Sequence, residues 1–180
     1  MAIYLVLGAS GKLGSSVASL LKSSGHVIYL ASPDPPEADL ISCDTSMWFR
    51  CDLSDPTDVF SIVSAFVLSD KVLDGIVNCA WDNSPLSSDG TMDFSVWSRA
   101  LAVNLFGPLT LVKWLKSFGR LSERSKIVVT WRRDGLAEDA YPQLVSASCV
   151  RNLFWMSFPQ HVVTVSYEDV LTKLPEILGE

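Results

Sequence analysis

The stretch Gly8-Ala9-Ser10-Gly11-Lys12-Leu13-Gly14 has the residue types and spacing to hold a phosphate. Its glycines recur every three residues directly after the apolar run Ile3-Tyr4-Leu5-Val6-Leu7, and Leu13, Val17, Leu20 and Leu21 then fall on one helical face. Gly8 allows a tight turn out of a strand, Gly11 removes the Cβ that would keep backbone N–H groups from a pyrophosphate, and Gly14 lets the helix pack closely. The anion would rest on the helix N-terminus, where unpaired N–H groups and the helix dipole favour negative charge. Expected cofactor contacts in this stretch are therefore Gly8, Ser10, Gly11, Lys12, Leu13 and Gly14. The same glycines would also serve a plain strand-to-helix turn.

A phosphate loop of this kind needs a second strand to hold the nucleoside, and His26-Val27-Ile28-Tyr29-Leu30-Ala31 supplies one after the stop signal Ser23-Ser24-Gly25. At its end an acid would bond ribose hydroxyls and a base would suit a 2′-phosphate. Ser32 stands there and is neither, followed by the stiff run Pro33-Asp34-Pro35-Pro36, while Lys12 could reach a 2′-phosphate. Further strands are expected at 47–51, 72–80, 126–131 and 161–165, with helices from Asp55-Pro56, over about 93–118, over 144–158 and over 168–178. The helix over 93–118 has almost no polar face and so needs cover on two sides. Strands alternating with helices imply an α/β fold, a doubly wound parallel sheet of Rossmann type in the order 3-2-1-4-5-6, with residues 1–180 as one domain.

Composition narrows the partners. The chain has 180 residues, 48% hydrophobic, with a formal net charge of -6, which excludes nucleic acid as the main partner because phosphate binding needs a basic footprint. The local cluster of Lys113, Lys116, Arg120, Arg124, Lys126, Arg132 and Arg133 reads as a solvated helix end and loop. Cys43, Cys51, Cys79 and Cys149 lack metal-ligand spacing, so no metal site is expected, and they suit a reducing compartment. Without a basic n-region or a run of about 18 apolar residues, the expectation is a soluble cytoplasmic protein with no membrane contact.

Over about residues 2 to 178 the chain resembles a short-chain dehydrogenase/reductase. Four landmarks carry the resemblance: Gly8 to Gly14, Cys51-Asp52-Leu53, Asn78-Cys79-Ala80, and Val103-Asn104-Leu105. It implies NADP or NAD as cofactor, with Asp52 and Leu53 at the adenine, Asn78, Cys79 and Ala80 along the cleft, and Asn104 supporting a proton relay. It also implies association through the helices near 93–118 and 144–158, as a homodimer or with a related subunit.

The departures are as informative. Trp81 replaces the family's glycine after N-x-A, and the positions of the catalytic Ser, Tyr and Lys hold Arg132, Val145 and Cys149. No lysine lies between Lys126 and Lys173. Hydride transfer to a carbonyl needs a proton donor at the developing alkoxide, and a tyrosine of pKa about 10 serves only when a nearby cation lowers it. The chain is therefore expected to be a degenerate or truncated member, lacking the family's lid segment and seventh strand, that has kept the fold and lost the chemistry. It would bind a nucleotide, a small anionic ligand at Arg132 and Arg133, or a protein partner. The alternatives are an NADP-dependent oxidoreductase using Tyr141 (with Thr130 near the Ser position) or a site completed by another subunit, and a purely structural subunit.

Overall fold

Tyr4, Leu5, Val6 and Leu7 are all buried, so the first strand must be covered on both faces, as interior strands of parallel sheets are. The computed structural model of the chain describes residues 1–41, 44–82, 93–131, 158, 160–166 and 168–179. In it β1 (Ile3–Leu7) lies inside a six-stranded sheet with β2 (Val27–Ser32), β3 (Ser46–Arg50), β4 (Leu73–Asn78), β5 (Leu121–Trp131) and β6 (Val162–Ser166). The order is β3-β2-β1-β4-β5-β6 and every neighbouring pair is parallel, as expected from the alternation of elements. The order reverses between β1 and β4, which opens a crevice at the strands' carboxyl ends.

Helices cover both faces: α1 (Lys12–Ser23), the short α2 (Ala38–Ile41), α3 (Pro56–Ser69), α4 (Phe94–Leu101), α5 (Gly107–Ser117) and α6 (Val170–Leu178). Alternation along β1 divides the core. Leu5 and Leu7 pack with Ile62, Phe66, Leu111 and Leu115 of α3 and α5, while Tyr4 and Val6 pack with Val17, Leu21, Val170 and Leu174 of α1 and α6. Asp55 caps α3 by accepting from the Thr57 amide at 2.8 Å, with Pro56 as the first helical residue.

Several boundaries differ from the sequence expectation. β3 runs 46–50 rather than 47–51, and β5 begins at Leu121, because Leu121 already pairs with Leu73 and residues 122–125 bulge before Lys126 pairs with Gly75. α2 follows the proline run unannounced by any apolar periodicity, and α6 begins at Val170 rather than 168. The long helix is helical from 94 to 117, but a π turn over Ala102–Phe106 joins α4 to α5. Its apolar surface is not fully covered: Phe94, Phe106 and Phe118 are 83%, 54% and 52% exposed. The helix expected over 144–158 lies, apart from Phe158, outside the described residues.

Gly8 has φ +74°, and a Cβ on Gly14 would sit 2.1 Å from the Gly8 carbonyl oxygen, which only backbone movement could relieve. Gly14→Ala is expected to lower stability by about 3 kcal/mol or to prevent folding. Gly25→Ala, at φ +80° but in open space, should cost only about 1 kcal/mol. Urea unfolding of the two variants measures the difference.

Candidate nucleotide site

At their carboxyl ends β1, β2, β3 and β4 deliver the glycine turn, the Ser32–Asp34 segment, Cys51–Leu53 and Cys79–Asp82 to one open cleft of about 360 Å³. Arg99 and Val103 reach it from the long helix. Of the residues expected to hold a cofactor, Gly8, Ser10, Gly11, Ser32, Asp52, Leu53, Cys79 and Ala80 line this cleft. Lys12, Leu13, Gly14 and Asn78 do not line it.

The glycine turn is tied down by its own backbone. Gly8 and Ala9 N–H donate to the Ala31 carbonyl at 2.8 and 3.2 Å, and Gly11 N–H donates to the Gly8 carbonyl at 3.1 Å, so Gly11 does not present its own amide to a ligand. Gly11 is the N-cap of α1 and offers no side-chain bond to the first turn, leaving the amides of Lys12, Leu13 and Gly14 as the open donors. No acidic residue stands in that turn. These three residues thus offer main-chain N–H groups at a helix N-terminus that follows the cleft-lining glycine turn; the Leu13 side chain is buried and that of Lys12 is in solvent.

Ser32 is buried, and its hydroxyl donates to the Asp34 carbonyl at 2.7 Å while its own carbonyl accepts from Cys51 N–H at 3.0 Å. It shapes the loop rather than facing a ligand with a free hydroxyl. Asp34, two residues on, lines the cleft and is the acid that the strand end lacks. A count of about 20 residues from Gly14 reaches it, and the proline run hid it.

Asp52 Oδ1 accepts from Ser54 N–H at 2.9 Å and from Ser54 Oγ at 2.7 Å, and Oδ2 faces Arg99 at 3.4 Å. Burial pushes this carboxyl up, but the Ser54 bonds and Arg99 outweigh it and hold it below the usual carboxylate range. Arg99 Nε also lies 3.3 Å from Asp82 Oδ2. Neither Arg99 nor Asp82 stands out in the sequence: one reads as a solvated helix residue, the other as loop.

Asn104 sits buried in the π turn, where its Oδ1 accepts from Asp82 N–H at 2.6 Å and its Nδ2 donates to the Asp82 carbonyl at 3.1 Å. Thr130 is also buried, and its hydroxyl donates to the Asn78 carbonyl at 2.8 Å, joining β5 to β4 without reaching the cleft. Asn78 Oδ1 accepts from Ala80 N–H at 3.2 Å and so shapes the turn after β4. Trp81 lines the cleft, with its indole N–H buried and without a hydrogen-bond partner. Tyr141, Arg132, Arg133, Val145 and Cys149 lie outside the described residues.

No helix among the described residues is long and apolar enough to cross a membrane, and no group of metal-ligating side chains gathers among them.

No family model matches the chain. Among curated proteins it resembles a short-chain dehydrogenase/reductase of Talaromyces verruculosus, 24% identical over 147 residues, covering 81% of this chain and 57% of the relative. Its fold matches a short chain dehydrogenase family protein from Francisella tularensis (TM-score 0.76, 18% identity, 99% of this chain and 77% of the other). It also matches a short chain dehydrogenase from Leptospira borgpetersenii solved with bound NAD+ (TM-score 0.75, 17% identity, 92% and 70%). In sequence the chain is thus similar to short-chain dehydrogenases/reductases, and it shares their fold. It spans about half the length of the curated relatives it matches.

Burial raises the Cys79 thiol to about 12, and burial with the carboxylates of Asp58, Asp52 and Asp55 raises that of Cys51 to about 12. Neither is a thiolate at neutral pH, so neither is a nucleophile for the cleft. Iodoacetamide at pH 8 is expected to modify both at least about 100-fold more slowly than free cysteine in the native protein. Mass spectrometry of timed reactions, with the urea-unfolded chain as the fast reference, checks this.

Proposed function

We propose that this chain binds the adenosine diphosphate half of NAD in the cleft at the ends of β1, β2, β3 and β4, and does not itself reduce a carbonyl. The observation that carries the binding reading is the meeting of the glycine turn at the N-terminus of α1 with Asp34 and Asp52 around one cleft. The amides suit a pyrophosphate and the acids suit ribose and adenine donors. NAD is favoured over NADP because Arg99, the one base lining the cleft among the described residues, is already shared by two carboxylates, while Asp34 stands where a 2′-phosphate would lie. Trp81 beside Ala80 narrows the side where the nicotinamide would pass, so ADP should bind about as well as NAD.

The loss of chemistry rests on the sequence: Arg132, Val145 and Cys149 at the positions of the family's relay, and no lysine from 127 to 172. A general acid contributes about 10²–10⁴-fold, so a site without one forfeits most of its rate. The names of the relatives favour a second reading, an NAD(P)-dependent oxidoreductase working through Tyr141 or a site completed by a second subunit. Residues 1–180 would form one domain in either case, and the free Cys51 and Cys79 suit a reducing compartment such as the cytoplasm. The exposed Phe94, Phe106 and Phe118 would be covered by a second copy or a related subunit, the helices near 93–118 and 144–158 forming the contact.

NAD or ADP at 100 times its dissociation constant should add about 2.7 kcal/mol of stability, read as a rise in melting temperature, with NADP giving less. No shift with any of them at millimolar concentration would dismiss the nucleotide site. NADH oxidation with a panel of ketones and aldehydes should stay at background. Turnover abolished by Tyr141→Phe would instead establish the second reading. Sedimentation at micromolar concentration should show an assembly larger than one chain.

A further inference from the structure

At Asp52 the cleft is bridged by an ion pair of its own. Asp52 has one oxygen committed to Ser54, through the amide at 2.9 Å and the hydroxyl at 2.7 Å, and its Oδ2 is the acceptor left for an incoming amino group. That oxygen faces Arg99, whose terminal nitrogens lie 3.4 Å from Asp52 Oδ2 and 3.4 Å from Ser54 Oγ while its Nε lies 3.3 Å from Asp82 Oδ2. One guanidinium therefore spans two walls of the cleft, the loop after β3 and the loop after β4, which β1 and β2 separate within the sheet.

The anchoring is unequal. Asp82 cannot follow a departing arginine, because its main chain is held on both sides by Asn104 and its carboxylate is only 11% exposed. Arg99 is 53% exposed and meets its partners at the long end of bonding distance, the mark of a pair that solvent can replace.

Resting on the nucleotide reading above, we infer that Arg99 is an ionic latch over the adenine subsite: its bridge between Asp52 and Asp82 competes with the base for Asp52 and must open before the base can bind. The latch gives binding an unusual salt response. Salt weakens an exposed ion pair, so a neutral nucleoside should bind more tightly as salt rises, the reverse of a charged ligand attracted to a charged cleft.

Adenosine, which carries no phosphate to be attracted by the guanidinium, is the probe. Its affinity is measured by calorimetry in the full chain and in the Arg99→Gln and Asp82→Asn variants, in 20 mM and 500 mM potassium chloride. The first variant removes the latch, and the second loosens it from the far wall while keeping Arg99. Both are expected to raise adenosine affinity about three- to fivefold at low salt, the range open to a weak ion pair. The wild type should gain affinity between the two salt concentrations and Arg99→Gln should not. Equal or weaker binding by Arg99→Gln, or the same salt response in both proteins, would overturn the latch while leaving the nucleotide site intact. Absence of binding by adenosine, ADP and NAD in all three proteins would overturn both readings together.

Discussion

Gly8 turns the chain out of β1 at φ +74°, so close to β4 that a Cβ there would meet the Ala80 main chain at 2.7 Å, and α1 begins against the same turn from another side. Since a Cβ on Gly14 would stand 2.1 Å from the Gly8 carbonyl oxygen, three elements touch main chain to main chain with no side chain between them. That contact fixes the N-terminus of α1 relative to the ends of β1 and β4. A second one fixes the other wall: a Cβ on Gly107, the first residue of α5, would meet the Leu53 carbonyl oxygen at 2.2 Å. The cleft is thus framed by backbone, and its side chains only tune what the frame admits.

This framing explains what could be read from the residues alone. The parallel order of the strands, the Asp55-Pro56 start of α3 and the glycine turn all depend on local periodicity or on backbone freedom at single positions, and both are written in neighbouring residues. Arg99 and Asp82 are different. They lie 17 residues apart on a helix and a loop, and what brings them within 3.3 Å is the sheet, not a motif. Ser32 occupies the end of β2, and the acid that lines the cleft stands two residues later because the Pro33–Pro36 run carries the chain forward rather than into a turn. The π turn leaves no trace in the apolar pattern either, since Val103, Leu105 and Phe106 fit an ordinary helix equally well.

Electrostatics give the cleft a character that the bulk charge of -6 only hints at. Among the described residues Asp34, Asp52 and Asp82 line it with Arg99, and Cys51 and Cys79 stay protonated. Neutral N–H dipoles at the start of α1 suit a phosphate and act at short range, whereas the carboxylates elsewhere in the cleft suit donors.

Asn104 is held in the cleft wall by a demand of its own. A buried amide side chain must find partners for its oxygen and its nitrogen, and leaving either unmet costs about 1–3 kcal/mol. Here the Asp82 amide and carbonyl meet both. The extra residue of the π turn aims the side chain at the loop after β4, which carries Trp81 and Asp82 into the cleft. An asparagine so engaged has a structural reason to be present that needs no proton transfer. Losing this clamp would release the wall on which the ion pair with Arg99 depends.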